Sequence, residues 1–312
     1  MNLPFYDEVD VKASILMPDA IHAMRNAFLA LSNGSAIVPN RINLPMEDQN
    51  ALHLSMPAYI NGGAYNTIKL VNVHFDNPQK GLPLINGVIL VMNAKKGNPL
   101  ALVEGKSVTA LRTGAGTGLA TDLLARRNSK RAIIFGTGAQ AKTQIDAIRC
   151  VRNLTSIKVI GRSEEKAIKF CNLFDSIVQP GEMSDLKRAD IICTATTSKT
   201  PLFDFEDIKA GVHINAIGAH QADTRELGTS LIQKAKVYID QLSSSQIEAG
   251  DLIIPINEGK YNWNNIEGEL GELIDKKIAG RTSENEITIF NSIGNAVQDL
   301  VIASMVFEKN QT

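Results

Sequence analysis

The chain has 312 residues, enough for two domains, and its 32 lysines and arginines against 33 aspartates and glutamates give a formal net charge of −1. Without a basic surplus or a polybasic run, neither nucleic acid nor an anionic membrane surface is an expected partner. No segment approaches the roughly 18 consecutive apolar residues of a membrane span, and the acidic Met1–Lys12 segment does not resemble a signal peptide.

The cysteines and histidines show no C-x-x-C or H-x-x-x-H spacing, so no metal site is predicted. Cys150 and Cys193 lie in or beside apolar segments, and we expect both to be buried thiols. Free thiols are typical of a reducing compartment, which predicts a cytoplasmic protein.

The first third of the chain is predicted to form an antiparallel sheet with one helix. Met17–Leu31 has apolar residues at helical spacing and is followed by the stop signal Asn33-Gly34. Strand-like runs separated by glycine, asparagine and proline turns follow at Ser55–Ile60, Thr67–Phe75, Leu84–Met92 and Leu100–Val103, the last two as a hairpin. This pattern is not that of a nucleotide-binding fold.

From Arg131 onward, apolar strands and helices alternate, which is typical of a doubly wound parallel sheet. A helix at Thr113–Leu124 is expected to link this region to the first. Strands are predicted at 132–135, 157–160, 190–195, 212–217, 236–240 and 286–290. Ser245 and Glu248 have the spacing of a helix capping box.

The tail Gly294–Lys309 is predicted to be a helix that packs back onto the first region. Its expected apolar side consists of Val297, Leu300, Val301, Met305 and Val306. The sequence therefore predicts an α/β protein with two domains: 1–112 plus about 295–312, which is β-rich (α+β), and 113–294, a Rossmann domain.

The strongest motif is an apolar run that ends in Gly136-Thr137-Gly138-Ala139-Gln140-Ala141 and continues into a helix. A strand that delivers a glycine-rich turn to a helix N-terminus is how Rossmann domains hold a dinucleotide pyrophosphate. Gly136 allows the tight turn, Gly138 allows the phosphates to approach, and Ala141 still permits close packing of helix and strand. A plain strand-to-helix turn is the alternative interpretation.

The next strand ends in Gly161-Arg162-Ser163, where an NAD site usually carries a carboxylate for the ribose hydroxyls. The guanidinium of Arg162 suits a 2′-phosphate, because its planar fork can bind two phosphate oxygens. We therefore expect NADP(H) to be preferred and NAD(H) to be usable. Glu164 or Glu165 could take the carboxylate role instead, and Arg162 could simply be exposed.

Taken together, several segments resemble the ornithine cyclodeaminase and mu-crystallin family over nearly the whole chain. They are Pro39-Asn40-Arg41, Ser55-Met56-Pro57-Ala58-Tyr59, Ile68-Lys69-Leu70-Val71, Thr109–Ala115, Gly136–Ala141, Thr194-Ala195-Thr196, Gly280–Ser283 and Phe290–Gly294. The resemblance implies a homodimer in which the β-rich domain binds substrate and forms the dimer, while the Rossmann domain binds the dinucleotide.

The resemblance also implies that Arg41, Lys69 and Arg112 hold the carboxylate of an imino or amino acid, with Met56 beside them. A small anion in a dry pocket needs charge-assisted hydrogen bonds, which arginine provides in pairs. Taken alone, Lys69 could face solvent, and Arg112 could pair with Glu104 or cap a helix. The implied cofactor contacts are Arg112, Thr113, Gly136, Gly138, Ala139, Gln140, Arg162, Ser163, Ala195, Thr196 and Ser292.

The segment Gly218-Ala219-His220-Gln221-Ala222-Asp223-Thr224-Arg225-Glu226-Leu227 departs from the cyclodeaminases, which carry aspartate where this chain has His220. It resembles instead the branch that reduces Δ1-pyrroline-2-carboxylate and Δ1-piperideine-2-carboxylate. A cyclic imine accepts hydride when its nitrogen is protonated, and imidazole exchanges protons near neutrality. His220 is thus a candidate proton donor, alongside the catalytic cations Lys69 and Arg112, or a loop residue that only orders the turn. Asp223 and Arg225 are expected to pair with each other or to cap the next helix.

The sequence therefore predicts NADPH-dependent reduction of a small cyclic imino acid: Δ1-pyrroline-2-carboxylate to L-proline, with the six-membered homologue to L-pipecolate as a further reaction. Three other activities stay open: ornithine cyclodeamination with recycled NAD, an alanine or opine type of amino-acid dehydrogenase, and non-catalytic binding of a small ligand.

Overall fold

The computed structural model describes residues 2–311. Met1 and Thr312, which end the ranges predicted for the first domain, lie outside the described residues. The chain divides into two compact units. The first contains the residues up to Arg112 and those from Asn295 onward, and the second is Thr113–Gly294.

Within residues 2–311 the strands are β1 (Phe5–Tyr6), β2 (Ala36–Ile37), β3 (Ile42–Met46), β4 (Ala51–Ile60), β5 (Tyr65–His74), β6 (Ile85–Asn93), β7 (Pro99–Glu104), β8 (Arg131–Phe135), β9 (Ser156–Ile160), β10 (Val178–Pro180), β11 (Ile191–Thr194), β12 (His213–Ala216), β13 (Lys236–Ile239), β14 (Gly268–Glu269) and β15 (Thr288–Asn291). The helices are α1 (Glu8–Ser14), α2 (Met17–Ser32), α3 (Gly105–Leu124), α4 (Ala139–Val151), α5 (Glu164–Cys171), α6 (Thr229–Lys234), α7 (Leu242–Glu248), α8 (Gly250–Asn257), α9 (Leu270–Ile274) and α10 (Ala296–Lys309). Short 3₁₀ turns lie at Glu47–Gln49, Asn77–Lys80, Met183–Arg188, Phe205–Asp207 and Trp263–Asn265.

The first unit is built on a sheet in the order β1-β7-β6-β5-β4-β2, with β3 also paired to β4. The pairs are antiparallel apart from β1 with β7, as the turn-separated runs of the sequence predict. Helix α10 packs against β4, β5, β6 and β7 and against α2. The tail of the chain therefore completes the core of the first unit.

The buried side of α10 is wider than predicted. Ile302, Ala303 and Phe307 are buried, whereas Val301 and Met305 are only partly buried. The reason is that α10 contacts a sheet on one side and a helix on another, so its apolar residues must cover more than one stripe.

The second unit contains a fully parallel sheet in the order β10-β9-β8-β11-β12-β15-β13-β14. Neighbouring residues of one strand enter different cores: Ile133 packs in one and Ile134 in the other. Both faces are therefore buried, which is why the strands appear in the sequence as continuous apolar runs. The predicted α/β class with a doubly wound sheet is confirmed.

Two local predictions are wrong, and the start of the predicted linking helix is misplaced. Ser245 and Glu248 do not form a capping box, because both lie inside α7, whose N-cap is Gln241. Cys150 is exposed, since the buried side of α4 faces away from it, while Cys171 and Cys193 are buried. The linking helix starts eight residues before Thr113 and runs from Gly105 to Leu124.

Two arginines hold the C-terminal end of α3 within the second unit. Arg152 donates to the carbonyls of Thr121 and Ala125, both at 2.8 Å, and Arg281 donates to that of Leu124 at 2.8 Å. The terminal carbonyls of a helix have no partner within it, and cations there also interact favourably with the helix dipole. Arg281 in the Gly280–Ser283 motif therefore has a structural role.

Among residues 2–311, no helix combines the length and apolarity needed to cross a membrane. The same residues contain no group of three histidine, cysteine, aspartate or glutamate side chains arranged to hold a metal ion.

Candidate functional site

Lys69 lies in the middle of β5 on the sheet face that α10 covers. Lys69 is 3% exposed, so the alternative in which it faces solvent is wrong. Its direct neighbours across the sheet are Met56 on β4 and Ile89 on β6. The ammonium donates to Asp299 Oδ2 at 2.6 Å and to Thr109 Oγ1 at 3.5 Å.

Arg112 reaches the same carboxylate from α3. Its Nε donates to Asp299 Oδ1 at 3.2 Å and its Nη1 donates to Gln298 Oε1 at 2.8 Å. Arg112 is 6% exposed. Glu104 is not its partner, because the Glu104 carboxylate accepts from the backbone N–H groups of Lys106 and Ser107 at the start of α3.

Arg41 lies near enough to Lys69 for its positive charge to affect the Lys69 ammonium. Arg41 is partly buried in the segment that precedes β3. Burial and the positive charges of Arg112 and Arg41 together lower the pKa of Lys69 to about 8, against the attraction of Asp299, which raises it. Burial alone would raise the pKa of Asp299, but attraction to Lys69 and Arg112 keeps that pKa below its ordinary value.

We call Arg41, Lys69, Arg112 and Asp299 the cation cluster. Its two buried cations, Lys69 and Arg112, both contact the single carboxylate of Asp299. A buried excess of positive charge is costly unless a counter-ion binds. The cluster therefore suits a small carboxylate, which also accepts paired hydrogen bonds from arginine.

Sequence reasoning missed Gln298 and Asp299. The available signal was two polar residues inside an otherwise apolar helix, where a buried polar group must have a partner.

In the second unit, the glycine-rich turn after β8 brings the chain close to the segment after β11 and leaves the start of α4 open. Gly136 has φ +111°, and a Cβ there would lie 2.5 Å from the Ala195 carbonyl oxygen. Gly138 is the N-cap of α4 and provides no side-chain cap, and a Cβ added to it would meet no atom within 4 Å. The N-terminus of this thirteen-residue helix therefore has no side-chain cap and has open space beside it, an arrangement that suits the binding of an anion.

The remaining residues of the predicted cofactor set lie as follows. Ala139 begins α4, and Gln140 follows it with a buried Oε1 that has no hydrogen-bond partner among the described residues. Thr113 is partly buried on α3, and Ala195 and Thr196 directly follow β11. Ser292 follows β15 and donates to Asp240 Oδ2 at 3.1 Å. Apart from Thr113, they lie where parallel strands end, which is where α/β sheets bind ligands.

Arg162 is exposed beside a cavity of about 340 Å³ at the carboxyl ends of β9 and β10. Ser163 caps α5, since its oxygen accepts from the Lys166 N–H at 3.4 Å. The cavity is lined by Gly161, Glu164, Ala167, Pro180, Gly181 and Glu182. Two carboxylates line this cavity and Arg162 directly follows one of its lining residues, Gly161, so both interpretations of the ribose site stay open.

His220 is exposed in the loop that follows β12, and its Nδ1 lies 2.9 Å from the Gly218 carbonyl oxygen. A carbonyl oxygen only accepts, so Nδ1 carries the proton of this contact. The contact orders the turn and fixes the tautomer at once. Arg225 does not pair with Asp223: it donates to the Leu227 carbonyl and to Thr229 Oγ1 at the start of α6.

Comparison with known proteins gives a consistent result. A model of the ornithine cyclodeaminase/mu-crystallin family matches residues 4–312. A Δ1-pyrroline-2-carboxylate reductase of Bacillus cereus is 39% identical over 293 residues, which cover 91% of this chain and 90% of that protein.

Two solved structures are similar over almost their full lengths. Δ1-Pyrroline-2-carboxylate reductase of Thermococcus litoralis, in complex with NADH and L-proline, has a TM-score of 0.94 at 35% identity, covering 99% of this chain and 98% of that one. An archaeal alanine dehydrogenase dimer with bound NAD has a TM-score of 0.94 at 32% identity, covering 100% and 97%.

Proposed function

Because this chain belongs to the ornithine cyclodeaminase/mu-crystallin family, we propose that it is an NAD(P)H-dependent reductase that converts Δ1-pyrroline-2-carboxylate to L-proline. The observation that carries this proposal is the cation cluster, in which the buried Lys69 and Arg112 share the Asp299 carboxylate and Arg41 adds a further positive charge near Lys69. Relatives that act on the same imino acid, one of them solved with L-proline, support it.

In this proposal the cation cluster holds the substrate carboxylate. Arg112 Nη2 and the third ammonium proton of Lys69 are the donors not used by Asp299, Gln298 or Thr109. Met56, next to Lys69 in the sheet, provides an apolar contact for the ring. A flexible methionine tolerates one further methylene, so Δ1-piperideine-2-carboxylate is a second substrate.

The dinucleotide supplies the hydride that adds to the C=N carbon. Gly136, Gly138, Ala139 and Gln140 would hold its pyrophosphate at the N-terminus of α4. The other proposed contacts of the dinucleotide are Arg112, Thr113, Ser163, Ala195, Thr196 and Ser292. We assign the 2′-phosphate of NADP(H) to Arg162 and propose that NADPH is preferred while NADH is usable, the latter in keeping with the NADH-bound relative.

His220 has the part of supplying a proton to the ring nitrogen through Nε2, since Nδ1 is held by Gly218. Protonation makes the C=N carbon more electrophilic, and the proton remains on the amine nitrogen of L-proline. Electrons and protons balance, with one hydride and one proton added to the imine.

The alternative activities are less well supported. Cyclodeamination of ornithine requires a carboxylate where this chain has His220. Reductive amination of a keto acid would use the same cation cluster, and only a substrate comparison separates it from imine reduction. Pure ligand binding would not require the buried cations.

We also propose a homodimer that uses the sheet face opposite to Lys69. There Pro57, Ile68, Leu90 and Leu102 form one apolar row across four strands, and all four are only partly buried. The alanine dehydrogenase with the same fold is a dimer. Leu90→Asp should give a monomer in analytical ultracentrifugation. The cytoplasmic location stays a prediction.

The reaction is tested by following NADPH oxidation with Δ1-pyrroline-2-carboxylate, Δ1-piperideine-2-carboxylate, or pyruvate plus ammonia, in parallel. We expect the five-membered imine to give the highest kcat/KM, and ornithine with NAD to release no ammonia. Stoichiometric ammonia from ornithine would overturn the proposal.

A further inference from the structure

Glu226 is fully buried, and each of its carboxylate oxygens accepts two hydrogen bonds. Oε1 accepts from the backbone N–H of Thr196 at 2.8 Å and from its hydroxyl at 2.6 Å. Oε2 accepts from the backbone N–H of Gly218 at 2.8 Å and from the Thr194 hydroxyl at 2.6 Å. One side chain thus joins the segment after β11 to the segment after β12.

These two segments carry groups to which the proposed function gives a role. Thr196 belongs to the proposed dinucleotide contacts, and Gly218 both precedes His220 and accepts its Nδ1 hydrogen bond. A Cβ at Gly218 would lie 2.3 Å from the Thr196 carbonyl oxygen and 2.5 Å from Glu226 Oε1. The close approach of the two segments therefore leaves no room for a side chain at position 218.

We propose that Glu226 is a positioning residue of this enzyme: its carboxylate fixes Thr196 and Gly218 relative to each other, and so sets the dinucleotide contact and the start of the His220 loop. The expected effect on NADPH binding and turnover rests on the proposed function. The expected effect on the mobility of the two segments rests on the hydrogen bonds alone.

The two backbone N–H groups can only donate, and the ionised form of Glu226 accepts from all four groups when both threonine hydroxyls turn towards it. Burial raises the pKa of Glu226, and the bonds from Thr194, Thr196 and Gly218 oppose that effect. The second carboxyl group of the region, Asp251, accepts from the backbone N–H groups of Glu226 at 2.7 Å and of Leu227 at 2.9 Å.

Asp251 can remain neutral at little cost. Its Oδ2 lies 3.1 Å from Asn291 Nδ2, and Asn291 Oδ1 is buried without a partner. Rotating that amide by half a turn would give a protonated Asp251 an acceptor. Burial and the charge of Glu226 raise the pKa of Asp251 to about 7. Four groups converge on the Glu226 carboxylate and three on that of Asp251, so a single negative charge in this pair is better accommodated on Glu226.

The same geometry explains why glutamine cannot replace Glu226. Each oxygen faces one backbone N–H, so either orientation of the glutamine amide sets its NH₂ group against a backbone donor that cannot turn away. Glu226→Gln has nearly the same shape and therefore removes the joint between the segments without creating a cavity.

The experiment compares wild type, Glu226→Gln and Asp190→Asn. Asp190 precedes β11 at the opposite end of the strand and also accepts from two backbone N–H groups, those of Lys130 at 2.8 Å and Arg131 at 3.0 Å. It thus serves as a control for general loss of stability. NADPH affinity is measured by fluorescence titration, and hydrogen exchange is measured in peptides that contain Thr196 and Gly218.

For Glu226→Gln we expect NADPH to bind about 10- to 100-fold more weakly, with faster exchange in both peptides. Asp190→Asn should melt earlier but bind NADPH as wild type does. Thr194→Val removes one donor to Oε2 and should have a smaller effect in the same direction, which keeps the test decisive if Glu226→Gln does not fold.

Unchanged affinity and exchange in Glu226→Gln would overturn the proposal, as would an equal loss of affinity in Asp190→Asn. Hydrogen exchange needs no substrate or cofactor, so its result stands even if the wild type fails to reduce Δ1-pyrroline-2-carboxylate. In that case the proposed reaction is wrong, while the role of Glu226 in holding Thr196 and Gly218 together is still tested by the exchange rates.

Discussion

Replacing Asp299 with asparagine removes the one negative charge of the cation cluster and keeps the shape of the side chain. Lys69 and Arg112 then lose a carboxylate at 2.6 and 3.2 Å. Removing one partner from a buried ion pair costs about 3–5 kcal/mol. Each kcal/mol shifts the melting temperature by about 2–4 °C in domains of about 150–250 residues, so the melting temperature of Asp299→Asn should be roughly 6–20 °C lower than that of wild type.

The pH dependence gives a second and more specific signal. The pKa of Lys69 is lowered from 10.5 to about 8, so the unfolded chain binds this proton more tightly than the folded protein. Its unfavourable contribution is complete below pH 8 and is relieved as the pH rises from about 8 towards 10.5. Without Asp299, which favours the charged form, this gain in stability should begin at a lower pH.

Thermal unfolding between pH 6 and pH 10, with kcat/KM for Δ1-pyrroline-2-carboxylate at each pH, measures both effects. Asp275→Asn is the matched control, since the Asp275–Lys277 pair is exposed and such pairs contribute about 0–1 kcal/mol. We expect kcat/KM of Asp299→Asn to fall by at least about tenfold at pH 7. A melting temperature and a kcat/KM that both match those of the control would refute the reasoning.

Three further substitutions test other parts of the account. Arg112→Lys keeps the positive charge but cannot donate to Asp299 and Gln298 at the same time, as the guanidinium does. We expect kcat/KM to fall by at least about tenfold and the melting temperature to drop. Normal kinetics with a lower melting temperature would show that Arg112 has only a structural role. Arg162→Asp should raise KM for NADPH about tenfold and move the preference towards NADH; an unchanged ratio would show that Arg162 does not contact the 2′-phosphate. Asp251→Asn removes a carboxyl group whose pKa is raised from 3.8 to about 7, so the wild type loses stability as the pH rises through that range. The variant lacks this loss, and its free energy of unfolding in denaturant titrations should therefore increase relative to wild type from pH 3.8 to pH 7. Curves of unfolding free energy against pH that run parallel for the two proteins would contradict this.

The parallel sheet was predictable because its strands are buried on both faces. Such strands appear as short apolar runs between turns: the prediction of 132–135 agrees with β8 at Arg131–Phe135. The turn at Gly136 and Gly138 was also predictable, because it depends only on the strand before it and the helix after it. Both of these are visible in the local sequence.

The partners of the cations could not be predicted, because they lie far away in the chain. Lys69 and Asp299 are separated by 230 positions. No local pattern indicates that α10 brings a carboxylate to β5. Glu226 shares this difficulty: the Arg-Glu-Leu sequence was visible, but its four donors belong to segments that only the fold brings together. The capping box at Ser245 failed in the opposite way, as a correct local spacing inside a helix that begins earlier.

The central claim is that hydride passes from the dinucleotide to the C=N carbon of a cyclic imino acid. It is tested most directly with NADPH that carries two deuterium atoms at the nicotinamide C4 and with Δ1-pyrroline-2-carboxylate as substrate. We expect mass spectrometry and NMR to find L-proline with one deuterium at the α carbon, formed in equal amount to the oxidised cofactor. Proline without deuterium, or oxidised cofactor without labelled proline, would contradict the account.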